Sequence, residues 1–135
     1  MKHNGIIQRK LAVLDEQVDN LRTHLAGVSP DEFEQSWMLR SMTERALQVS
    51  VEIMVDIAER IIALEGAGPV ETAAKAMARL VSLKVLASAS PYTDMVRLRN
   101  LIVHEYEQID PKILFELATT RLDDFRRFRD EIDRA

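Results

Sequence analysis

Cysteine is absent from the sequence. That excludes a disulfide framework and thiolate-bound zinc or iron–sulfur centres, and it fits a reducing compartment, so a cytoplasmic location is expected. Glycine and proline are scarce, four of each, and aromatic residues make up only 5% of the chain; this composition favours helix over sheet. No apolar run approaches the roughly 18–20 residues that a membrane span needs, and the opening MKHNGIIQRK is charged again by Arg9 and Lys10, where a secretory h-region would continue. Neither membrane insertion nor export is expected. A surplus of positive charge is missing as well: the formal net charge is −4. Broad attraction to nucleic acid through phosphate neutralisation is thereby excluded, and any RNA contact must be local.

What is present is 135 residues, 47% hydrophobic and 30% charged. That is enough for one sizeable core and too little for two, so residues 1–135 are expected to form a single domain. Ile7, Leu11, Leu14, Val18, Leu21 and Leu25 recur in steps of four and three, predicting a first helix over about 3–27 with one apolar seam. Ser29-Pro30-Asp31-Glu32 has the spacing of a capping box with proline in the first helical position, and Val28 and Phe33 are placed as a hydrophobic staple. From there the pattern runs to Gly66. Ser41-Met42-Thr43-Glu44 repeats the capping spacing, which predicts a short helix over 30–40 and a long one over 42–65, the latter apolar nearly all round in ALQVSVEIMVDIAERIIAL. Gly66, Gly68 and Pro69 end it. Residues 72–90 read as weakly patterned helix broken once, Ser90-Pro91 restarts the helix, and Asp110-Pro111 opens a last one whose inward stripe is Leu114, Ala118, Phe125, Phe128 and Ile132. The expected architecture is an all-α, up-and-down helical bundle with short connections.

Chemistry concentrates in RLRNLIVHEYEQIDP, residues 97–111. On a helical wheel Met95, Leu98, Leu101 and Ile102 form the core face, while Asn100 and His104, four residues apart, stack on the opposite side with Arg97 close by and Arg99 on the flank. Histidine can take and give a proton near neutrality, and arginine offers a permanently charged planar fork for phosphate oxygens. Together they suffice to break an RNA phosphodiester without a metal: the 2′-OH attacks, His104 moves protons and Arg99 holds the charge of the pentacoordinate phosphorane. Tyr106 falls beyond the helix end.

Arg99-Asn100, then Leu-Ile-Val, then His104-Glu105-Tyr106 resembles the pattern Arg, any four, His, any one, Tyr of HEPN-domain proteins of the HepT type. ERALQVSVEIMVDIAERIIA at 44–63 is similar to that family's long central helix and SPDEF to the start of its second helix. The resemblance implies a HEPN-like fold, a homodimer whose motif helices meet in one RNA-cleaving groove, and a ribonuclease toxin of a prokaryotic toxin–antitoxin pair. It implies Arg99 and His104 as the catalytic pair, Asn100 as the polar residue after the arginine, and Tyr106 as the tyrosine to which a minimal nucleotidyltransferase antitoxin transfers AMP from ATP. An anionic adduct beside a phosphate-binding groove would repel RNA. Two copies of Arg97, Arg99 and Arg45 would make a locally positive groove on an acidic protein, and assembly beyond the dimer with the antitoxin is open.

Asp56 interrupts the apolar helix, where a lone carboxylate needs a partner, so pairing with an arginine or a helix end is expected, with orientation of the motif as the other role. Arg45 could be its partner, a groove residue or a plain surface charge. No cofactor is expected, and no metal: di-iron bundles use Glu followed three residues later by His, a spacing no Glu in this chain has. The rival to catalysis is a non-catalytic subunit of a minimal nucleotidyltransferase, in which Arg99 and His104 would contact nucleotide or substrate and cleave nothing.

Overall fold

The structure, a computed structural model, describes residues 5–103 in full, the backbone of His104, and residues 109–135. Its elements are all helical: α1 (Gly5–Leu25), α2 (Pro30–Gln35), α3 (Trp37–Leu64), α4 (Ala73–Ser82), α5 (Tyr92–His104), α6 (Pro111–Thr120) and α7 (Leu122–Arg134). All six seam residues of α1 are buried. The Ser29 device forms as the spacing predicts: the Ser29 hydroxyl accepts the Glu32 N–H at 3.1 Å and the Glu32 carboxylate accepts the Ser29 N–H at 3.3 Å.

The break before the long helix lies at Ser36, not near Ser41. Ser36 is extended (φ −99°, ψ 103°) and its hydroxyl accepts the Leu39 N–H at 3.1 Å. Ser41 continues the helix because Ser36, five residues earlier, has already supplied the cap. α3 is therefore 28 residues long, about 42 Å at 1.5 Å per residue, and it carries the centre of the core from Ala46 to Ile62. It ends where Gly66 takes a positive φ of 68°, with the Gly66 N–H bonded to Ala63 at 3.0 Å.

The last helix is two helices. The Thr119 and Thr120 hydroxyls donate back to the carbonyls of Phe115 and Glu116 at 2.7 and 2.6 Å, competing with the helical ladder, and the chain bends at Arg121 before α7. The inward stripe survives the bend: Leu114, Ala118, Phe125, Phe128 and Ile132 are all buried.

Three ion pairs set α1 against α7 in antiparallel register: Asp15 with Arg129 at 3.0 Å, Asp19 with Arg126 at 2.8 Å and Arg22 with Asp123 at 2.5 Å. Asp15, accepting from Arg129, raises that guanidinium's pKa above its ordinary value. α3 packs along α1 after the short connection through α2 and runs opposite to it, with Lys10 paired to Asp56. α5 is fixed to α7 at its start by Tyr92 and Glu131 and shares a cleft with residues 117–125, so it runs against α7 and against α3. The end of α5, the start of α3 and the start of α6 therefore lie at one end of the bundle.

Candidate functional site at the end of α5

α5 begins in the core. Tyr92 is fully buried, its hydroxyl donates to a Glu131 carboxylate oxygen at 2.5 Å, and its ring meets Phe128 edge-on with centroids 5.4 Å apart. The other Glu131 oxygen accepts the Ala87 N–H at 3.1 Å, so one carboxylate ties α7, the loop before α5 and α5 itself together. Burial, then the adjacent Glu131 carboxylate, pushes the Tyr92 phenol far above its ordinary range. Tyr92 escaped the sequence reading because nothing local marks a tyrosine after Ser-Pro as a core residue.

The buried face of α5 is rotated from the one the wheel predicts. Tyr92 and Val96 are sealed, Met95, Leu98 and Ile102 are half-buried, and Leu101 is 48% exposed. The cause is tertiary: α5 packs on α3 and α4, which pulls the Tyr92–Val96 edge inward. The half-buried edge borders a cleft of about 170 Å³ whose floor includes Leu47 and Val51 of α3 and Phe125 of α7, with Asp94 and the Arg121–Asp124 ion pair at the rim.

Three of the expected site residues have described side chains on α5. Arg97 is exposed and pairs with Asp94 at 3.2 Å, and Asn100 is exposed. Arg99 is half-buried, and its Nε is sealed from solvent with no hydrogen-bond partner. His104 closes α5; its side chain, and Tyr106 as a whole, lie outside the described residues. Arg45 is exposed on α3. It is not the partner of Asp56, which is held by Lys10 and, at 3.3 Å, by Arg60. Asp56 is half-exposed rather than buried, since the seam between α1 and α3 lets Lys10 reach it. Burial pushes its carboxyl up, but the two cations outweigh that and hold it below the ordinary value of 3.8. Neither of these partners belongs to α5, so the structure joins Asp56 to α1 and leaves it apart from the Arg97–Asn100 stretch. Among the described residues no group of three histidine, aspartate or glutamate side chains is placed to hold a metal ion.

The same end of the bundle exposes apolar surface. Trp37 and Met38 at the start of α3 are 68% and 74% exposed, and Leu101, Val103 and Ile113 are exposed at the end of α5 and the start of α6. Among the described residues no helix is long and apolar enough to cross a membrane.

Comparison with known proteins places the fold. The family described as Ribonuclease HepT-like matches residues 14–132. A tRNA nuclease HepT from Aphanizomenon flos-aquae is 30% identical over 112 residues, covering 82% of this chain and 76% of that protein. An mRNA nuclease HepT from Shewanella oneidensis is 26% identical over 133 residues, covering 96% and 97%. Among solved structures, the fold matches a tri-AMPylated Shewanella oneidensis HEPN toxin in complex with MNT antitoxin with a TM-score of 0.90, at 24% identity and over 98% of this chain and all of that one.

Proposed function

Because the chain belongs to the Ribonuclease HepT-like family, we propose that it is the toxin of a toxin–antitoxin pair, acting from one domain over residues 1–135 as a metal-independent endoribonuclease in the cytoplasm. Arg99 carries the reading: a guanidinium half-sunk in the protein, its Nε unpaired, on the helix that His104 closes. A charged fork held this way keeps its terminal nitrogens for an anion, and burial strengthens its field on one.

In the proposed reaction the substrate 2′-OH attacks the adjacent phosphorus and the 5′-oxygen leaves. The His104 imidazole takes the 2′-OH proton and a protonated imidazole supplies the leaving oxygen, while Arg99 stabilises the phosphorane dianion. The products are a 2′,3′-cyclic phosphate and a 5′-OH. Asn100 and Arg97 flank the phosphate path, and Arg45 extends the positive strip. Asp56 serves the site only by holding α3 to α1.

A homodimer completes the groove in this reading. Leu101, Val103, Trp37 and Met38 leave apolar area that a second copy covers, and two sets of Arg45, Arg97 and Arg99 then gather locally on chains that each carry a net charge of −4. Neutralisation by a nucleotidyltransferase antitoxin, through AMP transfer to Tyr106, is proposed from the place of Tyr106 in the motif. RNA is the substrate class shared by the relatives named tRNA nuclease HepT and mRNA nuclease HepT.

Expression of the chain alone should stop growth, and His104→Ala should restore it. Harmlessness of the parent chain, with no RNA cleaved by purified protein, would favour the non-catalytic subunit instead. Incubation with the cognate nucleotidyltransferase and ATP should add mass in AMP-sized steps, and Tyr106→Phe should remove them.

A further inference from the structure

Among the described residues two buried side-chain polar atoms lack a hydrogen-bond partner: Arg99 Nε on α5 and the Thr43 hydroxyl oxygen on α3. Thr43 is 0% exposed. A hydroxyl inside a helix ordinarily satisfies itself on the carbonyl four residues back, as Ser50 does on Ala46 at 2.7 Å and Thr120 does on Glu116 at 2.6 Å. Thr43 makes no such bond. Sealed polar atoms without partners are rare in folded proteins, and each calls for a physical reason, a functional role among them.

The two orphans are complementary and on facing helices. Nε–H can only donate, and a threonine oxygen can accept. α3 and α5 are antiparallel and meet where Leu47 and Val51 share a cleft with Met95 and Leu98. One turn back from Leu47 on the same stripe is Thr43. One turn on from Met95 is Arg99, so both orphans lie past the cleft toward the end of α5, about one helical turn apart along the seam, a gap that a long arginine side chain can span.

We propose that Thr43 is a positioning residue for Arg99: when the terminal nitrogens of the guanidinium take up a phosphate oxygen, Nε–H donates to the Thr43 hydroxyl oxygen and fixes the plane of the fork. The inference rests on Arg99 being the phosphate-holding group. It adds that the core, through a hydroxyl never exposed to substrate, sets the fork's orientation. Thr43 could not be singled out from sequence, where Ser41-Met42-Thr43-Glu44 reads as a cap.

Thr43→Val keeps the shape and removes the acceptor. The variant should melt within a few degrees of the parent and lose about tenfold in kcat on RNA with KM nearly unchanged, the pattern of a misaligned rather than missing contact. Thr43→Ser should recover most of the rate. In an Arg99→Lys background, which has no Nε–H, Thr43→Val should cost nothing further. Full activity of Thr43→Val, or a loss that adds undiminished to Arg99→Lys, overturns the proposal while leaving the ribonuclease reading intact. A measurement independent of cleavage decides the same point: on titration with inorganic phosphate the Arg99 Nε–H resonance should move further downfield and exchange more slowly with solvent in the parent than in Thr43→Val. An unmoved parent resonance, or equal shifts in both, rejects the Thr43–Arg99 bond whether or not the protein cuts RNA.

Discussion

At its first turn α5 is anchored, with the Tyr92 hydroxyl, the Phe128 ring and both Glu131 oxygens engaged; at its last turns Asn100, Leu101 and Val103 are exposed and Arg99 Nε is unsatisfied. One short helix thus holds both a closed account of polar groups and an open one. The difference teaches where function can reside. Satisfied buried groups fix a position, whereas unspent ones, on a helix whose far end is fixed, are available to a ligand.

The largest effects should come from breaking each end separately. Tyr92→Ala removes a sealed ring and leaves Glu131 short of a donor, so it should cost about 3–5 kcal/mol of stability in denaturant unfolding. His104→Ala, at the open end, should lower RNA cleavage by about 10²–10⁴-fold with the unfolding midpoint unmoved. Should either variant show the other's signature, the division between the two ends fails. Leu101→Glu places a charge in the apolar surface proposed to meet a second copy; sedimentation should find monomers at micromolar concentration, and cleavage should fall by about tenfold or more. Tyr92→Phe keeps the ring and loses only the bond to Glu131, which calls for about 1–3 kcal/mol of destabilisation.

The smallest effect belongs to Asp56, remote from both ends. Its folded-state carboxyl titrates below its ordinary value of 3.8. The stability it contributes is therefore complete above that value and disappears as pH falls through the lower folded value. With both side chains of the Arg60 pair 39% exposed, Asp56→Asn should cost under about 1 kcal/mol at neutral pH, and mutant and parent should converge in acid titrations.

How much could be read in advance follows the range of the forces involved. The Ser29–Glu32 cap and the α1 seam were legible because they depend on residues three or four apart. The Leu114-to-Ile132 stripe was legible too, although the bend at Arg121 was not: the stripe is a periodicity, and the bend is a competition between threonine hydroxyls and the helical ladder. Ser36 carries no glutamate three residues on, so its cap left only a weak mark. The roll of α5 toward Val96 and the reach of Lys10 to Asp56 come from neighbouring helices that sequence spacing does not encode. At the site, Arg97, Arg99, Asn100 and His104 stood out as polar residues crowded on one helix. The orphaned Nε and the silent Thr43 hydroxyl are properties of packing alone.

The central claim, that His104 and Arg99 cut RNA by driving its own 2′-OH, is tested most directly by the chemistry of the new ends. Purified protein incubated with total RNA in excess chelator should leave 2′,3′-cyclic phosphate and 5′-OH termini, and His104→Ala should leave none. Cleavage that demands added metal, that leaves 5′-phosphate and 3′-OH termini, or that persists in His104→Ala would contradict it.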